Sequence, residues 1–480
     1  MKKFLKNITL ILLLVISFSF VFAGCKKGNE TNDIPNATDR VYGNGGLAVT
    51  KGDYLYFLNG YKSYLDVTSA DKNKNVVRGA IYKTKLTASG ALDMNIVLDK
   101  NGDVESSSVK KVEKVVDRIV CFENGGLFII GNYLYYTTPN TQDNSTGEIL
   151  NNYVDYCRVS LDNPGKEEVL YTSEGEVTDG DWAVYEMDGG VYLVINTGSK
   201  IVCIKNNEKK NAITMADNIT SAKLWTNEDN HALNDNEKYI FYTRDVKESD
   251  SVSSGNILAK VKIGTSNEEI VRADNSTSYT IFDVKNNNIY YTKSSNSNYL
   301  WVAKASNFTG ETKLTYKSYD NKYIVENDDV NSTLNRVIVY TASSSDATDG
   351  VLAYFDNGSI EANIVLNNVN ITILAVEGNY VYYYDSSTIY RVDILSKETT
   401  KLINGDNQFN FSATQDMCFD VDGNYMYFLN GYTSGESTLY YLERVDLGNP
   451  NTHTFVGEFA DGEEPTESDE DSTNESEDKE

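Results

Sequence analysis

The stretch Gly378-Asn379-Tyr380-Val381-Tyr382-Tyr383 decides how the rest of the chain is read. A Gly-Asn pair tolerates positive φ and reverses the chain tightly, and the residues after it alternate with the period of two that belongs to a strand. The phrase returns as Gly52-Asp53-Tyr54-Leu55-Tyr56-Phe57, Gly131-Asn132-Tyr133-Leu134-Tyr135-Tyr136 and Gly423-Asn424-Tyr425-Met426-Tyr427-Phe428. Weaker copies are Gly190-Val191-Tyr192-Leu193-Val194, Lys238-Tyr239-Ile240-Phe241-Tyr242, Asn288-Ile289-Tyr290-Tyr291 and Arg336-Val337-Ile338-Val339-Tyr340. Their spacing, about 40 to 60 residues with one interval near 80, is that of propeller blades rather than of two-helix repeats.

Around each copy the pattern fills out a blade. A short apolar run precedes the turn, as in 373–376, 417–421 and 281–284; a polar loop, a third strand such as 388–393 and a fourth such as 399–403 follow. The sequence therefore specifies an all-β chain, a single β-propeller of four-stranded antiparallel blades. Eight blades are expected over 43–459, with seven as the alternative. The first and last copies continue alike, Leu58-Asn59-Gly60-Tyr61 and Leu429-Asn430-Gly431-Tyr432, so both end blades are complete and the ring closes by blade-on-blade packing. The 35 Tyr are explained as core rings whose hydroxyls reach a loop or water. The one helix candidate, 108–118, is Val-rich and reads equally well as a strand.

The two ends differ from this body. Residues 1–24 give Lys2, Lys3 and Lys6, an apolar run from Ile8 to Phe22, and then Ala23-Gly24-Cys25, the layout of a secretory signal. The run is shorter than the roughly 20 residues a spanning helix needs. Ala-Gly-Cys resembles the bacterial lipobox, although Phe22 stands where Leu is usual. That resemblance implies cleavage before Cys25, lipidation of Cys25, and a protein held outside the cell on the membrane by a lipid anchor. Residues 25–42 read as a polar tether and 460–480 as a disordered acidic tail. The chain carries −27; residues 1–24 hold three Lys and no acid, so the remainder carries −30, of which −10 lies in 461–480. So acidic a body repels nucleic acid, which is excluded as a partner, and also anionic lipid, so acylation must supply the membrane attachment. The Tyr-rich repeats, covering nearly the whole mature chain, resemble the propeller domains of unknown function on surface lipoproteins of low-GC Gram-positive bacteria. The resemblance implies fold and location, and specifies no ligand.

No catalytic constellation is legible. The Ser-x-Asp-x-Gly-x-Thr-Trp box of sialidases, Trp-Asp repeat ends, Trp-x-Gly repeats and a Gly-x-Ser-x-Gly elbow are all missing. His231 and His453 lie in no motif with a nucleophile, and carboxylate pairs such as Asp328-Asp329 or Asp179 and Asp181 are too common to single out. Asp71-Lys72-Asn73-Lys74-Asn75 has alternating oxygen ligands, but Val76 replaces the Gly of a calcium loop and Tyr82 its final Glu. Cys121, Cys157, Cys203 and Cys418 have no metal spacing; they read as small buried hydrophobes, with pairing left open. No cofactor, metal or catalytic residue is therefore expected. Two functions remain: a binding or scaffolding module for an extracellular protein or glycan, or an extracellular carbohydrate-active enzyme, hydrolase or lyase, using channel carboxylates. The inserts 59–77, 137–152, 244–255, 343–350 and 430–437, with the inter-blade stretch 101–118, are expected on one face, with tight turns on the other. Tyr61 and Tyr432 are its candidate ligand anchors.

Overall fold

The structure is a computed structural model. It describes residues 41–463 apart from 44–45, 64–74, 96–108, 111, 117, 120–125, 140–152, 175–180, 209–211, 225–237, 286, 295, 316–318, 326–333, 343–349, 357, 360, 387, 404–418, 423, 435–436 and 451–452. Cys25, His231, Cys121 and Cys418 lie outside the described residues. The described chain is all β, without a helix, and builds eight antiparallel blades in a ring. Blade 7 shows the pattern: Thr372–Glu377, Tyr380–Asp385, Thr388–Asp393 and Thr399–Ile403 pair in chain order. Every Tyr-bearing copy is the second strand of its blade. First strands of neighbouring blades approach one another and line the centre; fourth strands lie at the rim, where Ile270 and Ile364 are exposed. The helix candidate is extended: Val109–Lys110 pairs with Met94–Asn95, and Val112–Lys114 is the fourth strand of blade 1.

Because strands alternate in direction, first-to-second and third-to-fourth connections share one face, here the turn face. Second-to-third connections and the links between blades share the other, the link face. The expected division of inserts is corrected by this topology. Residues 101–111 fall between the third and fourth strands of blade 1, so this connection leaves and re-enters the blade at the turn face rather than linking two blades, and the first-to-second connections of blades 4 and 6 also start and end there. The Tyr-rich copies mark second strands only, which left the fourth strand of blade 1 unplaced.

The middle strands are buried on both sides, so their Tyr hydroxyls need partners inside the ring. In three blades the partner is the same. Tyr136, Tyr242 and Tyr291 occupy one position of the repeat, and each donates to the carboxylate that opens the fourth strand: Glu167, Glu268 (2.7 Å) and Glu311. A cation completes each clasp, Arg118, Arg244 or Lys293. Each ring passes over the third strand to get there, across Cys157 and Ala259 in the first two blades and beside Trp301 in the third. Burial first, and the carboxylate beside it, holds all three hydroxyls well above the ordinary tyrosine range, so they remain donors.

Ring closure is the contact of blade 8 with blade 1, without a shared strand. Tyr61 N donates to Tyr440 O (3.0 Å). Buried Asn59 donates from Nδ2 to Glu458 O (2.8 Å) and accepts from Glu458 N (3.1 Å). Gly457 must be glycine: a Cβ there would fall 1.8 Å from Asn59 Oδ1. Beyond it, Glu463 accepts from Arg78 Nε (2.8 Å) and from the Tyr441 hydroxyl (2.7 Å), and Asp461 accepts from Asn75 N (3.2 Å). Ala460 is fully buried. The expected tail boundary is thereby corrected: 460–463 belongs to the fold, held by hydrogen bonds that composition did not reveal. At the other end Val41–Tyr42, assigned to the tether, pairs with blade 2.

Arg244 is buried and gives both carboxylates of its clasp two contacts each, Asp250 at 2.8 and 3.1 Å and Glu268 at 2.8 and 2.6 Å. These hydrogen bonds hold Asp250 down to about 2 and Glu268 below the ordinary range. A depressed carboxylate stabilises the fold above its unfolded pKa and loses that contribution as pH falls through the folded value. Arg244→Ala is expected to cost about 2–3 kcal/mol at neutral pH, since Glu268 is partly exposed, seen as a lower denaturation midpoint at unchanged slope. It should also flatten the loss of stability between about pH 4 and pH 2 that the wild type shows. An unchanged acid limb would mean the clasp is not the titrating element.

Candidate functional site

The two aromatic residues proposed as ligand anchors both lie in the ring closure. Tyr61 is half-buried, and its backbone bridges Tyr440, while its carbonyl accepts from Arg78. Tyr432 donates its hydroxyl to Glu443 and packs edge-on against Phe459 (5.0 Å) and Phe455 (5.8 Å). Glu443 is buried and also takes Asn430 Nδ2 (2.8 Å) and His453 Nδ1. His453 is thus an edge-strand residue tied to a structural carboxylate. Desolvation works against the ionised form of Glu443, but its hydrogen bonds to His453, Tyr432 and Asn430 outweigh it and lower its pKa. Cys157 and Cys203 are buried, and burial pushes the Cys203 thiol up to about 12, so it is no nucleophile at neutral pH. Among the described residues no group of three or more His, Cys, Asp or Glu has metal-holding geometry. Residues 71–74, Asp179 and Asp328-Asp329 lie outside them.

A better site is built from a repeated contact that is left open between blades 7 and 8. At the first position of the Tyr copy, a ring is covered by a cation from the third strand of the same blade. Lys83 lies over Tyr54 (5.1 Å), Arg158 over Tyr133 (4.1 Å), Lys260 over Tyr239 (4.6 Å), Arg391 over Tyr380 (4.7 Å) and Arg444 over Tyr425 (4.1 Å). Each cation faces the third position of the copy, so strand register fixes the pair. This end of the blade then meets the third-to-fourth turn of the next one. Tyr135 donates to Asn207 Oδ1 (3.0 Å), Tyr192 packs on Gly264, Lys260 reaches Ser306 O (3.5 Å) and Tyr425 packs on Gly90.

Between blades 7 and 8 the same parts separate. Tyr380 and Arg391 form one wall, Leu447-Gly448 the other, and a cleft of about 480 Å³ opens between them on the turn face. Glu377 and Asp393 bring carboxylates to it, and Asn379 and Asn424 bring side-chain amides. Tyr380 is 39% exposed, whereas Tyr382, two residues on, is buried with its hydroxyl in contact with Arg391. Asn379 accepts from Arg336 of blade 6, which pins the turn. The cleft thus offers a ring, a guanidinium, two carboxylates and two amides on short, rigid turns. Sequence reasoning missed it by assigning the Tyr to the core as a class. A signal was present: an Arg or Lys recurs in third strands, at Lys83, Arg158, Lys260, Arg391 and Arg444.

No family model and no curated protein sequence matches the chain. Solved structures with a similar chain path exist. An oligogalacturonate lyase in complex with manganese matches with a TM-score of 0.41 at 11% identity, covering 66% of this chain and 86% of that one. A prolyl endopeptidase matches with 0.40 at 12%, covering 86% of this chain and only 55% of its own length. The β-propeller domain of the Trilobed protease from Pyrococcus furiosus matches with 0.39 at 12%, covering 70% and 93%. Likeness of this degree bears on neither ligand nor activity.

The open junction is tested by two glycines. Gly264 has φ +79° and a Cβ there would lie 2.6 Å from the Tyr192 ring. Gly264→Ala is expected to cost about 1–2 kcal/mol or more. Gly448 meets only the end of the Asp446 side chain. Gly448→Leu, pointing into the cleft, should stay within about 1 kcal/mol of wild type. Equal losses in chemical denaturation would show the two junctions to be packed alike.

Proposed function

We propose that the chain is a lipid-anchored surface protein whose propeller binds an extracellular glycan in the cleft between blades 7 and 8. The observation that carries the reading is the exposed Tyr380 ring, backed by Arg391 and flanked by carboxylates and amides. A sugar presents an apolar C–H face and a rim of hydroxyls. A ring covers the first, while planar carboxylate, amide and guanidinium groups pair with the second. The cleft volume falls in the range of small-ligand sites, about 300–1,000 Å³. Anchoring rests on Cys25 and its Ala-Gly leader, and an acidic body favours neutral or amino sugars over polyanionic ones. A second reading, a carbohydrate-active enzyme, is kept because Glu377 and Asp393 share the cleft.

The secreted portion, residues 26–480, should be screened against cell-wall and host glycans for binding and for product. Tyr380→Ala is expected to lower affinity for any hit at least tenfold while leaving the thermal midpoint unchanged, and Arg391→Ala to lower it as well. Retained affinity in both variants would move the site elsewhere. Product release that Glu377→Gln or Asp393→Asn abolishes would establish the enzymatic reading instead.

A further inference from the structure

The direction in which the chain enters the ring carries information about how the propeller stands on a membrane. Val41 pairs with Ile130 and Tyr42 with Ile129, antiparallel to the first strand of blade 2, Phe128–Ile130. Ile130 is the end of that strand next to its first-to-second turn. Residue 41 is therefore at the turn face, and the chain runs from there toward the link face along the inner edge of blade 2. It touches the first strands of blades 1 and 3 on the way. Gly43 then turns it: φ is +85°, and a Cβ would lie 2.6 Å from both Leu127 O and Val49 Cγ2. Leu127 N donates to Gly46 O (3.1 Å), after which Ala48–Lys51 climbs back as the first strand of blade 1.

We infer that a lipid on Cys25 holds the turn face toward the membrane and presents the link face outward; this rests on the anchored reading above. Chain length permits both orientations but favours this one, because the direct route leaves the whole tether to reach the lipid. Cys25 to Arg40 is 16 residues, with a maximum reach of about 55 Å. To put the link face against the bilayer instead, the tether would have to cross four strands, about 14 Å, and descend the blade, about 20 Å. That route consumes at least about 35 Å before any reaches the lipid. The outward surface therefore holds the second-to-third connections, among them the described residues 246–255 of blade 4, and suits a macromolecular partner approaching from outside. The cleft between blades 7 and 8 is left facing the membrane, open to ligands small enough to diffuse beneath the ring.

Site-directed labelling tests the orientation. Asp53→Cys marks the turn face and Ser251→Cys the link face; both positions are exposed. Each is made with Cys121 and Cys418 replaced by Ser, and the lipoprotein is placed on neutral phosphatidylcholine vesicles. A bulky polyethylene-glycol maleimide should label Ser251→Cys at least fivefold faster than Asp53→Cys on vesicles, and both at equal rates in the unanchored form. Deleting 27–36 leaves a reach of about 20 Å, too short for the alternative route, and should widen the ratio. Equal or reversed rates on vesicles would overturn the orientation. Failure of the lipid reading shows separately: the parent protein would then float free of vesicles just as its Cys25→Ala variant does.

Discussion

Everything in this ring depends on the contact between its first and last blades. They share no strand, so residues nearly 400 positions apart must be brought together by side chains and a few backbone bonds. Loop-closure entropy rises only slowly with length, which makes so long a closure affordable, but it must still be repaid locally. The repayment is concentrated. Asn59 uses both ends of its amide on Glu458, Gly457 makes room for it, and Arg78 and Tyr441 converge on Glu463. An apolar cluster running through Phe57, Leu429, Leu442 and Val456 spans the same seam. Once the seam is closed, every blade has a neighbour on both faces and the middles of the Tyr strands are buried.

Within that frame one residue type does two jobs. At the fourth position of the copy a Tyr hydroxyl reaches past the third strand to a carboxylate, and a cation completes the charge balance. At the first position a Tyr ring lies under a third-strand cation and meets the next blade. Both devices satisfy polar groups that would otherwise be buried without partners. The second also explains the cleft. The pair of Tyr380 and Arg391 is made as elsewhere, but the turn of blade 8 does not close over it. The ingredients of a site are thus the ingredients of the scaffold, left uncovered between blades 7 and 8.

Much of the fold was legible in the sequence because the signal was local. A Gly-Asn turn and an alternating Tyr strand declare themselves within six residues, and eight repetitions give the blade number. Elements without such a phrase were misplaced. The fourth strand of blade 1, Val112–Lys114, follows a long connection and has no repeat mark, so 101–118 was assigned to the wrong face. Residues 460–463 look like the start of an acidic tail, since only distant partners, Asn75 for Asp461 and Arg78 and Tyr441 for Glu463, tie them to the fold. The cleft escaped for a related reason. Tyr380 and Tyr382 are equivalent in composition, and what separates them is the neighbouring blade, which a single strand does not encode.

The seam is best tested by hydrogen exchange, read strand by strand, on the propeller ending at Glu463 and on one ending at Phe455. In the longer chain, second strands Tyr54–Leu58 and Tyr425–Ser434 should be protected as well as Tyr239–Asp245 on the far side of the ring. In the shorter chain, which lacks the Glu458 and Glu463 contacts, protection should fall first and most in Tyr54–Leu58 and Tyr425–Ser434, with Tyr239–Asp245 following later. Uniform loss around the ring, or no loss at all, would contradict a closure held by these few residues.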